Sequence, residues 1–157
     1  MTILRVVVVA LAVCIAIPAV AQDKPASNME ILRQKLQADK KLVVAANMDL
    51  TESEAKGFWP VYDAYQADLD GLNRRLGQLI KRYAEAYRTK TLTEETAKSL
   101  IDEAIAIERA EVGMRESYVP KLSAALPGTK VARYLQIENK IRALIKYELA
   151  SEIPLVP

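Results

Sequence analysis

Apolar residues recur along this chain at steps of three and four. From Ala55 onward, Trp59, Tyr62, Gln66, Leu69, Asn73, Leu76, Ile80, Tyr83 and Tyr87 follow alternating fours and threes. That is the spacing of a helix that lays one seam against another helix. A helix over 52–89 would be ~57 Å long at 1.5 Å per residue. Gly57, Gly71 and Gly77 weaken it locally. Pro60 should kink it or delay its start. Upstream, Ile31, Leu32, Leu36, Leu42 and Val43 mark a first helix over 28–46. Downstream, Ala97, Leu100, Ile101, Ala104, Ile107 and Met114 mark a third over 94–125, which Pro120 should bend or split near Tyr118. Pro127-Gly128 breaks the chain. A fourth helix follows on Val131, Tyr134, Ile137, Ile141, Leu144, Ile145 and Tyr147, with Thr129 as its expected cap.

The starts of the two long helices carry their own signals. Thr51-Glu52-Ser53-Glu54 reads as a capping box, with Thr51 accepting a backbone N–H and Glu54 reaching back. Leu50 stands just before it, where a hydrophobic staple belongs. Thr93 repeats the cap, preceded by Leu92. No alternation of period two survives beyond the leading apolar segment, so no strand is expected. The fold class is therefore all-α: a long antiparallel hairpin with additional N- and C-terminal helices, four in all. The short 90–92 turn sets the two long helices antiparallel.

The first 21 residues belong to a different object. Arg5 is their only charge, Val6 to Ile17 is apolar, and Ala19-Val20-Ala21 supplies small residues before Gln22. The run is short for a bilayer span. Together these features read as an export signal over 1–21, leaving one domain over 22–157. An uncleaved anchor is the alternative. A lipoprotein box around Cys14 is a weaker one, because Cys14 sits inside the apolar run after the branched Val13. Export through such a signal implies the periplasm, with no stable membrane insertion after cleavage.

Composition then narrows the chemistry. The chain has no histidine, and its one cysteine, Cys14, would leave with the signal. No disulfide can then brace the domain, and transition-metal binding is not expected without histidine or cysteine. No loop has calcium-ligand spacing. No cofactor, metal or catalytic residue is therefore assigned. Glu108 and Glu111 lie three apart on one helix face, but nothing in the sequence specifies a carboxyl of raised pKa of the kind a hydrolase uses. The expectation is a protein that is not an enzyme. Twenty-two basic against 20 acidic residues give a net charge of +2, a balance that does not ask for nucleic acid.

The balance hides segmentation. Asp49 to Asp70 is acidic, Arg74 to Lys90 is basic through Arg74, Arg75, Lys81, Arg82, Arg88 and Lys90, and Glu94 onward is acidic again. The basic stretch could bind an acidic partner, or pair with the third helix along the hairpin. Seven tyrosines against one phenylalanine could line a client-binding face or a dimer seam, or sit at the margin of a thin core. Phe58-Trp59-Pro60-Val61-Tyr62 is the densest apolar point, able to anchor the first helix or a partner protomer. The candidate binding surface is Tyr62, Tyr65, Arg74, Arg75, Arg82, Tyr83 and Tyr87.

The Leu-Thr starts, L-T-E-S-E at Leu50 to Glu54 and L-T-E-E-T at Leu92 to Thr96, resemble the paired LTxxQ motifs of the Spy/CpxP group. Glu54 and Thr96 stand where that motif ends in glutamine. The closing K-V-A-R-Y-L-Q-I-E-N-K-I, Lys130 to Ile141, adds to the likeness, which covers roughly residues 48–155. The resemblance implies a small periplasmic helical protein of envelope stress, a dimeric cradle that holds unfolded clients without ATP. A CpxP-like member would also damp a sensor kinase. The metal-binding members need histidines or cysteines, so their role does not transfer. Expected partners are unfolded or envelope proteins and a second copy of the chain as a homodimer. The alternative is a non-catalytic regulatory or structural module that binds one envelope partner through residues 74–90.

Overall fold

A computed structural model describes residues 40–156, and among these the protein is all-α. The signal expected over 1–21 and the start of the first helix lie outside the described residues. Helix α1 is described over residues 40–48. It is followed by α2 (Glu52–Thr89), α3 (Glu94–Ala125) and α4 (Gly128–Glu152). The bounds of α2 and α3 are those the apolar spacing predicts.

The caps explain why these boundaries are sharp. Thr51 Oγ1 accepts from the Glu54 N–H, and the Glu54 carboxylate accepts from the Thr51 N–H at 2.8 Å, completing the box. Thr93 Oγ1 accepts from the Thr96 N–H at 3.2 Å. At the far end of α2, Lys90 turns left-handed with φ 57°. Thr91 N–H then donates to Ala86 O at 2.9 Å and Lys90 N–H to Tyr87 O at 3.3 Å. This is the Schellman closure, built here on a lysine rather than a glycine.

Three expectations need correction. Pro60 does not delay the start of α2, which begins at Glu52, and Pro120 does not split α3. Each proline removes one backbone hydrogen bond. However, buried side chains on both sides, Phe58 and Tyr62 in one helix and Tyr118 and Leu122 in the other, hold the halves to the same core. Thr129 does not cap α4. Pro127 occupies that position, and its carbonyl accepts from Lys130 and Val131 N–H at 2.9 and 3.0 Å. Helix α1 also runs two residues past Ala46, burying Met48 before Asp49 (φ 47°) ends it.

The seam of α2 is the fourth correction. The residues turned to the interior are Phe58, Tyr62, Tyr65, Leu69, Leu72, Leu76, Leu79, Tyr83 and Ala86. This is again a four-three repeat, sharing Tyr62, Leu69, Leu76 and Tyr83 with the predicted one. Its other members lie one residue earlier, so Phe58, Tyr65 and Leu79 replace Trp59, Gln66 and Ile80. Of the displaced set, Trp59 and Gln66 face α1, and Gln66 also meets Glu138 of α4. Helix α2 is thus central and carries two adjoining seams.

Two cores result. The larger lies at the base of the α2–α3 hairpin, where Val44 and Met48 of α1 and Val131 and Tyr134 of α4 close over Phe58, Tyr62, Tyr65, Tyr118 and Leu122. The smaller, nearer the tip, rests on Leu79, Leu100 and Ile107. Tyr134 meets Phe58, Tyr62 and Tyr65 with ring centroids 5.1, 6.0 and 5.7 Å apart, all edge-on. These rings space the helices, and no Cα of α4 lies within 8 Å of α2. Gly57 does the opposite on the α3 side, where a Cβ would meet the Ala125 Cβ at 3.2 Å.

Candidate functional site

The wide spacing of α2 and α4 leaves a groove of about 260 Å³ between them. Its apolar wall comes from Leu69 and Leu76 of α2 and from Ile141, Leu144, Ile145 and Leu149 of α4, with Lys40 at its lower end. Helix periodicity then places Glu138, Arg142 and Lys146 on one stripe of α4, four residues apart. Each finds an opposite charge on another helix. Lys40 Nζ bonds Glu138 Oε2 at 2.7 Å and Gln66 Oε1 at 2.8 Å. Gln66 Nε2 bonds Glu138 Oε1 at 2.9 Å and Tyr134 OH at 3.3 Å. Arg142 pairs with Glu111, and Lys146 with Glu108 at 3.2 Å.

Glu111 and Glu138 are buried, 8% and 5% exposed, yet each carboxylate is met by a cation. Glu108 and Glu111 therefore each bind a different cation of α4 and do not converge on a common point. Burial without a partner would be costly, and no buried side-chain nitrogen or oxygen among the described residues is left without one. Among the same residues no cluster of three or more metal-ligating side chains occurs.

A second surface runs along an exposed side of α3. Ile101 is 58% exposed, and Ile105, Val112 and Val119 are 47, 45 and 40% exposed. Their steps of four, seven and seven keep them within about 40° of one another around the helix. Glu108, which pairs with Lys146 of α4, and Arg115, which lines the groove, mark the edge of the same strip towards α4. The core side chains Leu100, Ile107, Tyr118 and Leu122 point elsewhere, so α3 carries an apolar stripe that the hairpin does not use.

The predicted surface residues divide. Tyr62 and Tyr65 are not on the surface: they are 3% and 2% exposed, inside the larger core. Burial raises both hydroxyls to about 12, with Glu138 adding to the effect. Arg74 is exposed. Arg75 reaches across the hairpin to Glu103 with Nε and Nη2 at 2.8 and 3.1 Å. That bond lowers the Glu103 carboxyl below its ordinary range and raises the guanidinium. Arg82 bonds Ser99 Oγ at 3.1 Å. Tyr83 donates to the Pro154 carbonyl at 2.8 Å, tying down the C-terminal tail. Tyr87 remains exposed at the tip, its ring 5.9 Å from that of Tyr83. For Arg75 and Arg82, pairing along the hairpin is thus the observed arrangement.

The cap residues have tertiary roles as well. Leu50 packs against the larger core and Leu92 against the smaller. Glu54 accepts from Lys130 Nζ at 2.6 Å, and Lys130 also donates to Asp49 O at 2.7 Å, so α4 is fastened to the α1–α2 turn. The Lys130 bond is the main cause holding the Glu54 carboxyl below the ordinary 4.5. In place of a glutamine side chain, Thr96 Oγ1 lies 3.0 Å from Thr93 Oγ1.

Sequence reasoning missed Lys40, Gln66, Glu138 and Lys130. A signal was present: Gln66 and Glu138 are polar residues at seam positions of otherwise apolar repeats, and such positions call for buried partners. Comparison with family models, with curated proteins and with solved structures yields no match to this chain. No helix among the described residues is long and apolar enough to cross a membrane.

Proposed function

We propose that the protein is a periplasmic, ATP-independent holding chaperone or envelope-stress binder of the Spy/CpxP type. The observation that carries this reading is the exposed stripe Ile101, Ile105, Val112 and Val119 on α3, interleaved with Glu108 and Arg115. An apolar strip broken by charges of both signs favours broad, shallow contact over one deep fit. Unfolded segments would be held weakly and released without a nucleotide. The reading assigns the protein no catalytic step. The export-signal pattern over 1–21 and the Leu-Thr helix starts support the compartment and the group.

The test is suppression of aggregation of a thermally unfolded client by the purified protein. Ile105→Asp/Val112→Asp should abolish suppression while leaving helix content intact. Suppression unchanged in that variant would overturn the assignment to α3. A homodimer is part of the proposal, and a monomeric mass by light scattering at micromolar concentration would remove it.

The single-partner alternative is favoured by the exposed Arg74 and Lys81 on the tip half of α2 and Lys90 just past its end. Reversing Arg74 and Lys81 to glutamate would then abolish capture of one saturable envelope partner.

A further inference from the structure

We infer that the exposed α3 stripe is the seat of an amphipathic helix from another protein, one that carries a basic, an acidic and a basic residue at steps of seven beside its apolar seam. The inference rests on the client-binding reading of this stripe and narrows the clients to helical segments. Ile101, Ile105, Glu108, Val112, Arg115 and Val119 step by four, three, four, three and four. That is the repeat by which one helix packs along another. It is distinct from the set Leu100, Ile107, Tyr118 and Leu122, which α3 buries in the core. From Ile101 to Val119 the stripe runs about 27 Å. Helix α3 is unbroken from Glu94 to Ala125, so its backbone groups along the stripe are already bonded. An extended segment laid there would leave its own N–H and C=O groups unpaired on the covered side. A helix arrives with those bonds made.

Charge decides which helix fits. Along the edge of the stripe away from α4 stand Asp102, Arg109 and Glu116, all exposed and seven residues apart. Their order is acid, base, acid. Arg109 and Glu116 form no ion pair among the described residues, and Asp102 holds only Lys98, at 2.9 Å in an exposed contact within α3. A second copy of the chain is a poor match. Laid antiparallel over the whole stripe, with Ile101 opposite Val119, it brings Asp102 to Glu116 and Arg109 to Arg109. Laid parallel in register, it brings Glu108 to Glu108 and Arg115 to Arg115. Both arrangements set like charges together, which works against self-pairing. A helix flanked by base, acid and base meets opposite charges in either direction, because that order reads the same from both ends.

The probes are three fluorescein-labelled synthetic peptides. The first is a three-heptad helix with a leucine seam flanked by Lys, Glu and Lys. The second has Glu, Lys and Glu instead, and the third permutes the first so that the seam is lost. By fluorescence anisotropy the first should bind about tenfold tighter than the second, and the third should not bind. Asp102→Lys/Arg109→Glu/Glu116→Lys, with helix content retained by circular dichroism, should reverse the order of the first two. Equal affinity for all three peptides, or an unreversed order in that variant, overturns the inference. The mass by light scattering should be the same with and without Ile105→Asp/Val112→Asp. A fall from dimer to monomer in that variant also overturns the inference, since a second copy would then hold the stripe. Suppression of client aggregation that persists while no peptide binds removes the helical preference and leaves the chaperone reading standing.

Discussion

Lys90 shows how a single residue carries a cost set by its place in the fold. It occupies a left-handed conformation at the end of α2, which disfavours any side chain with a Cβ and which glycine adopts freely. Lys90→Gly keeps both Schellman bonds, since they use backbone N–H groups, and should stabilise the protein by about 1 kcal/mol. A urea titration with an unchanged slope would measure this. A decrease in stability would mean that the lysine side chain contributes a contact that outweighs the backbone strain. Gly57 is the contrasting case, because the 3.2 Å approach of Ala125 leaves little room for a side chain there.

At the scale of elements, α1 and α4 are joined to the hairpin by apolar packing and by cross-helix polar links, of which Lys40–Glu138–Gln66–Tyr134 is the most connected. Removing one member leaves the other charge without its counterpart in a largely dry place. Lys40→Met should cost about 3 kcal/mol, and Lys40→Met/Glu138→Leu should recover most of that loss. The coupling in a double-mutant cycle of the two sites is the quantity to measure, and a coupling near zero would mean the pair is solvated. The uneven core makes a second prediction. The tip of the hairpin depends on the small cluster around Leu79, Leu100 and Ile107, whereas the base is covered by α1 and α4. Amides near Ala86 and Ala97 should therefore exchange with deuterium well before those near Tyr62 and Tyr118. Uniform exchange along α2 would show that the hairpin opens only as one unit.

For the molecule as a whole, the tyrosine-rich base sets the alkaline limit. Burial raises Tyr62, Tyr65 and Tyr118 from 10 to about 12, with the Asp68 bond adding to the effect at Tyr118. Tyr134 is raised as well, by burial first and then by Glu138. A group whose pKa is higher in the folded state supports folding fully below its unfolded value and ceases to do so as the pH passes its folded value. Stability should therefore fall between pH 10 and about 12, and tyrosinate absorbance should rise together with loss of helix. Ionisation of all seven tyrosines near pH 10 with the helices intact would contradict the buried ring cluster. The exposed α3 stripe belongs to this scale too, because it stays uncovered only after the other helices have packed elsewhere.

The sequence alone determined the all-α class, the bounds of the two long helices and their caps, because these depend on local periodicity and on side chains within a turn of the backbone they satisfy. It could not choose between the two adjoining seams of α2. Phe58 beside Trp59, and Leu79 beside Ile80, are apolar neighbours that satisfy either repeat equally well, and only the positions of α1, α3 and α4 decide which faces which helix. The same holds for Tyr62 and Tyr65, where an amphipathic ring is compatible with a surface or a core until neighbouring helices close over it. The partners within the polar knot and the groove were not legible for a further reason: Lys40 meets Gln66 and Glu138, Gln66 meets Glu138, and Lys130 meets Glu54, across separations of 26 to 98 residues. Contacts at that range are created by how the helices pack, so the polar seam positions Gln66 and Glu138 mark a need for buried partners but do not say which residues those are.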